Sequence, residues 1–161
     1  MLNYPIVNDQ DEVIGQMEKE EAYEKQAMLR SAQLFLYDQQ GRLFIQRRAW
    51  TKKRFPGCLC ASVAGHVEPK EGYEEAIHRE MLEEIGIDAS VTFIMKTKTP
   101  IDDERFAMMA HFRAVTDQVP TRFQEGEVAE GWYVTPEELQ ALIDKGECFT
   151  PSFHFFLNQQ K

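Results

Sequence analysis

Cysteine is scarce in this sequence. Three residues in 161, Cys58, Cys60 and Cys148, make an odd number with one close pair, which argues against the disulfide framework of a small secreted domain. Cys58 and Cys60 have no matching Cys/His pair, so zinc-ligand spacing is missing as well. No secretory leader or long apolar run stands ahead of them, and the expectation is a reduced, cytoplasmic protein that does not enter a membrane. Positive charge is in short supply too. Eighteen Lys and Arg against 27 Asp and Glu give a formal net charge of −9, and no basic run with interleaved aromatics offers a local exception, which argues against a nucleic-acid polymer as partner. Repeats, low-complexity tracts and interdomain linkers are also missing, so residues 1–161 are read as one domain.

What is present is acid, and carboxylates that hold divalent cations invert the local sign of a site, so small phosphorylated molecules remain candidate ligands. Along the chain, 1–30 reads as an N-terminal arm and helix: a small hairpin over Ile6 to Gly15, then a polar helix from Glu18 to Leu29. Strands are expected at Leu34 to Tyr37 and Leu43 to Gln46 around a turn containing Gly41, and again at Val91 to Lys96, Ala107 to Val115 and Gly131 to Val134. The one basic cluster, Arg47, Arg48, Lys52, Lys53 and Arg54, leads into the breaker Phe55-Pro56-Gly57. Tyr73, Ile77, Met81 and Ile85 recur every four residues before Gly86, which predicts an amphipathic helix from Gly72 to Ile85. Thr135-Pro136-Glu137-Glu138 opens another helix with an N-cap, an N1 proline and a capping-box acid. The sum is an α+β fold, an α/β/α sandwich with a mixed sheet between helices and a short N-terminal arm.

The chemistry is concentrated in residues 65–87, whose skeleton is Gly65, Glu71, Arg79-Glu80, Met81, Glu83-Glu84, Gly86 and Ile87. At 100° per residue, Glu80, Glu83 and Glu84 fall within about 100° of arc, so their carboxylates converge on one side of a helix. Like charges that close repel unless a hard dication sits among them, which predicts Mg²⁺ or Mn²⁺. Gly65 lets the backbone come near enough to add a carbonyl. Arg79 is placed on the far side of the helix axis and read as the orienting partner of Glu71.

This skeleton is the complete Nudix box, and the chain resembles the Nudix hydrolases. The resemblance implies that Glu80, Glu83 and Glu84 are metal ligands, that Glu71 and Arg79 shape the loop and helix, and that an activated water attacks phosphorus in a small-molecule diphosphate. Glu83 or an acid outside the box is the base; of Glu125, Glu127 and Glu130, Glu127 is preferred. Arg47, Arg48, Lys53 and Arg54 are candidates to grip outer phosphates, and His66 is a candidate contact beside Gly65. The flanks, Ile-Gln-Arg-Arg at 45–48, Lys-Lys-Arg-Phe-Pro-Gly at 52–57 and Gly-Glu-Val-Ala-Glu at 126–130, resemble isopentenyl-diphosphate isomerase and its bacterial hydrolase-like relatives. The isomerase pattern has a catalytic cysteine where this chain has Ala64, and upstream metal-binding histidines where it has Tyr23 and Arg30. A hydrolase on an isomerase-like scaffold is therefore expected, ahead of an isomerase or a noncatalytic nucleotide sensor. A monomer and a homodimer both fit the sequence.

Overall fold

In a computed structural model that describes residues 2–160, the chain folds around one central strand. The strands are β1 (Tyr4–Val7), β2 (Val13–Met17), β3 (Leu29–Tyr37), β4 (Leu43–Arg48), β5 (Leu59–Cys60), β6 (Val63–His66), β7 (Thr92–Pro100), β8 (Phe106–Val115) and β9 (Val128–Val134). The helices are α1 (Lys19–Glu24), α2 (Tyr73–Ile85), α3 (Pro136–Asp144) and α4 (Pro151–Gln159). Strand β3 runs parallel to β8 over its whole length, from Leu29 opposite Ala107 to Tyr37 opposite Val115. It also pairs antiparallel with β6, with β1 at Leu29 and with β4 at Tyr37. Strand β4 carries β9 and β5, and β7 pairs with β8, so the sheet is mixed.

Two-residue alternation along β3 and β4 divides the core. Ala32, Leu34, Leu36 and Phe44 face a cluster that includes Ile77, Met81 and Ile85 of α2. Phe35, Leu43 and Ile45 face the other way, onto Phe153 and Phe156 of α4. A layer of helix on each face of a mixed sheet is the sandwich expected from the sequence. The N-terminal hairpin belongs to the sheet, and α1 stops at Glu24, because Leu29 already pairs with Ile6. Helix α2 ends at Gly86 with φ +70°, a conformation that a Cβ disfavours. Thr135 caps α3 by accepting from the Glu138 amide at 3.1 Å, as its sequence predicts.

Three short elements have no counterpart in the sequence reading: β5, β6 and α4. The first two are too short to show a period. Helix α4 begins with Thr150-Pro151, the same cap-proline signal that marks α3. The cysteines require a correction. Cys58 and Cys148 form a disulfide with Cα atoms 4.8 Å apart across a sequence separation of 90, and Cys60 is a buried free thiol. The Leu59 amide donates to the Cys148 carbonyl at 2.8 Å, a long-range contact that residue spacing does not reveal.

Phe35 stacks on Phe156 with ring centroids 4.0 Å apart and lies fully buried. Phe35→Ala should therefore cost about 3–5 kcal/mol of unfolding free energy. Urea denaturation measures it, and a loss below about 1 kcal/mol would mean that α4 is not a packed part of the core.

Candidate active site

The antiparallel register of β6 on β3 sets Gly65 opposite Ala32 and His66 opposite Ser31. Helix α2 packs its Ile77–Met81–Ile85 stripe against the same face, which brings Glu80 and Glu84 up to the β6 backbone. A Cβ at Gly65 would overlap the Glu80 carboxyl group, so glycine is required by close approach. Glu84 lies on the buried side of α2. Its Oε1 accepts from Gln46 Nε2 at 2.8 Å, and the same amide donates to the Ser62 carbonyl at 3.0 Å.

The electrostatics follow from this burial. Desolvation raises the Glu80 carboxyl above its usual range. Desolvation, then the charge of Glu80, raises Glu84 further, to well above an ordinary glutamate. Glu83 is 45% exposed and turns to Arg79 at 3.3 Å. Among the described residues, no three His, Cys, Asp or Glu side chains are already gathered as a closed ligand set. The donors nonetheless suit a hard dication: the buried carboxyl group of Glu84, the part-buried one of Glu80 coupled to it by charge, a third at the rim, and a glycine whose lack of a Cβ lets the Glu80 carboxyl approach its backbone.

Arg79 corrects one expectation. It donates through Nε to Glu71 at 2.7 Å and through Nη2 to Glu71 at 2.9 Å and to the His66 carbonyl at 3.0 Å. Its Nη1 meanwhile reaches Glu80 at 2.8 Å. The long side chain curls back from its own helix position, so Arg79 sits among the acids and not behind them. Its hydrogen bonds lower the Glu71 carboxyl below the usual range, and Glu71 accepts from the Glu68 amide at 2.9 Å, fixing the loop ahead of α2.

These groups open into a cavity of about 710 Å³, within the size range of small-molecule sites. Helix α2 and its preceding loop supply Glu68, Glu80, Glu83 and Glu84; Lys19, Arg48, Lys52, Lys53, Arg54 and Arg105 line it as cations. The basic cluster of the sequence thus reaches the site, except for Arg47. Arg47 donates to the Gly57 carbonyl and to Glu147, both at 2.9 Å, and contacts Glu130 at 3.2 Å, a bracing position outside the cavity lining. Arg48 lines the cavity while spending Nε and Nη2 on the Arg54 carbonyl. Glu127 lines it too, with its carboxylate held by the Lys52 ammonium at 2.5 Å.

His66 is also brought in, and its ring nitrogens meet the Tyr23 hydroxyl and, at 3.2 Å, the Ser31 hydroxyl. Burial and nearby cations hold it neutral, with its pKa lowered to about 4. Tyr23 therefore stands in the site, whereas Arg30 binds the Asp11 carboxylate and carbonyl at 2.8 Å and straps the hairpin loop down. Gln46 and Arg105 are cavity residues that the sequence reading did not single out. Gln46 lies in a quoted flanking motif; Arg105 lies in no motif.

The profile of the NUDIX domain matches residues 27–152. A Nudix hydrolase of Deinococcus radiodurans is 35% identical over 145 residues, covering 89% of this chain and 84% of that one. The uncharacterized Nudix hydrolase YfcD of Escherichia coli K12 is 34% identical over 146 residues, covering 91% and 79%. The crystal structure of DR0079 from Deinococcus radiodurans superimposes with a TM-score of 0.84 at 30% identity, covering 98% of each chain.

Glu84 offers a stability test. Because folding raises its pKa, its contribution is fully present below the unfolded carboxylate pKa and is lost as pH rises through the folded value. Glutamine cannot ionise, so in EDTA Glu84→Gln should match the parent near pH 4 and melt higher at pH 8, by about 2–4 °C for each kcal/mol relieved. Thermal unfolding at the two pH values checks this; a lower melting temperature at pH 8 would contradict the burial of a charged group there.

Proposed function

The chain belongs to the Nudix hydrolase family, a pyrophosphohydrolase by descent, and from that premise we propose that it is a divalent-metal-dependent hydrolase of a small-molecule diphosphate, such as a nucleoside diphosphate derivative. The observation that carries this reading is the pair of neighbouring carboxyl groups, the buried Glu84 and the part-buried Glu80, with Glu80 against the Gly65 backbone. Gly65, Glu80 and Glu84 would hold Mg²⁺ or Mn²⁺, with Glu83 adding a carboxylate at the rim. When bound, the ion supplies charge neutralisation to the phosphate oxygens and makes water more acidic.

The chain's own groups do the rest. Arg48 and Lys52 attract the diphosphate, and Arg79, tied to Glu71 and Glu80, keeps the carboxylate array in place. The water oxygen forms the new bond to phosphorus, the bridging P–O bond breaks, and the displaced phosphate leaves with its electron pair. Glu83 accepts the water's proton: it is the exposed member of the triad, and its contact with Arg79 is long. Glu127 is closely engaged by Lys52 and acts by positioning that ammonium.

The isomerase-like flanks fit the same reading. Ala64 lines the cavity where the isomerase pattern has its cysteine. Cys60 also reaches the lining, but burial pushes its thiol up to about 12, so it is a poor source of thiolate.

A screen of nucleotides, nucleotide sugars, dinucleoside polyphosphates and isoprenoid diphosphates with Mg²⁺ or Mn²⁺ tests the proposal. On the best substrate, Glu83→Gln should lower kcat by about 10²- to 10⁴-fold, while Glu127→Gln should act mainly on KM. The reverse pattern would exchange their roles. Solvent-proton exchange into an isoprenoid diphosphate without phosphate release would replace hydrolysis with isomerisation.

A further inference from the structure

Tyr23 carries two guanidinium groups, with Arg54 Cζ 4.0 Å and Arg105 Cζ 4.2 Å from its ring centroid. Both cations are thus in close contact with one aromatic ring. All three residues line the active-site cavity. Contact with the ring restrains both guanidinium groups at the cavity wall.

The hydrogen bonding of this stack is incomplete. Arg105 is 11% exposed. Asp102 takes its Nε at 2.6 Å and also its Nη2. Nη1 is buried and has no hydrogen-bond partner among the described residues. A buried cationic N–H with no acceptor is costly, and natural structures seldom keep one without a ligand or water to meet it. Among the described residues, the one carboxylate that Arg54 reaches is the exposed Glu20, at 3.6 Å. Two guanidinium forks with spare donors, side by side at one ring, are suited to a phosphate dianion. The stack is joined to the glutamates through a short path: Tyr23 bonds His66, the neighbour of Gly65, and Gly65 abuts Glu80.

We propose that Arg54 and Arg105, clamped on Tyr23, form a second anion subsite that binds a terminal phosphate of the substrate other than the phosphorus under attack. This rests on the hydrolase reading above for the place of the scissile bond. The substrate class is then a diphosphate with one further phosphate, either in line, as in a nucleoside triphosphate, or on the far end, as in a nucleoside 3′-phosphate 5′-diphosphate.

The first arm of the test is calorimetric titration with inorganic phosphate in EDTA, which needs no turnover. The parent and a Lys145→Gln surface control should bind equally, while Arg105→Gln and Arg54→Gln should each weaken binding by about tenfold or more, with Arg105→Lys recovering part of the loss. Equal binding by all variants, or no binding by the parent, overturns the subsite. The second arm compares KM with Mg²⁺ for a nucleoside triphosphate, a nucleoside 3′-phosphate 5′-diphosphate and the plain diphosphate. Arg105→Gln should raise KM about tenfold or more for one of the first two, which identifies where the extra phosphate sits, and less than about twofold for the third. A uniform rise across all three overturns the subsite. If the parent cleaves none of them, the hydrolase reading is lost, and the phosphate titration still decides the subsite.

Discussion

Everything at this site depends on holding carboxyl groups where water is scarce. Helix α2 is fastened to the sheet by Ile77, Met81 and Ile85, and that packing carries Glu80 and Glu84 against the β6 backbone at Gly65. Left alone, such a pair is unfavourable: burial and mutual charge both disfavour ionisation. The hydrophobic stripe overcomes that cost. Gln46, itself held on the Ser62 carbonyl, then restrains Glu84 and Arg79 restrains Glu80 by hydrogen bonds. The result is a high local demand for positive charge in a small volume, which is the physical basis of the family's use of a dication.

The second constraint is the central strand. Because β3 bonds β8 along its length and β6 near its middle, one strand fixes the positions of the glycine loop and the floor beneath α2. The hairpin β1–β2 joins the same strand at Leu29, and α1, which follows the hairpin, delivers Tyr23 to His66. An acidic chain thereby acquires a cavity with cations from α1, the 48–54 segment and Arg105 facing the acids of α2. Such a cavity can attract phosphate even though the net charge of −9 repels it at long range.

Much of this was legible in the sequence because its signals are local. The four-residue recurrence before Gly86, the Thr135-Pro136 cap and the 65–87 skeleton each lie within one element, and the structure has α2 and α3 where they were expected. The paired helix layers also follow from alternation in β3 and β4. What was not legible depends on contacts between distant residues. The Cys58–Cys148 disulfide, the turning of Arg47 to Glu147, the approach of Arg105 to Tyr23 and the curl of Arg79 back onto Glu80 depend on tertiary placement or side-chain path, which spacing along a helix or strand does not encode. Arg79 shows the difference most clearly: its Cα position on the helix was read from the 100° step, but a long flexible side chain does not have to stay on the side where it starts.

The central claim is that the buried acids are poised for a dication, and Mn²⁺ titration in buffers of different ionisation enthalpy measures it directly. Burial raises the Glu84 carboxyl well above an ordinary glutamate, and a metal ligand must be ionised, so binding should release protons, the observed heat should change with the buffer, and both the binding and the proton release should fall sharply in Glu84→Gln. Tight Mn²⁺ binding with no proton release, and unchanged in that variant, would place the metal elsewhere and contradict the account.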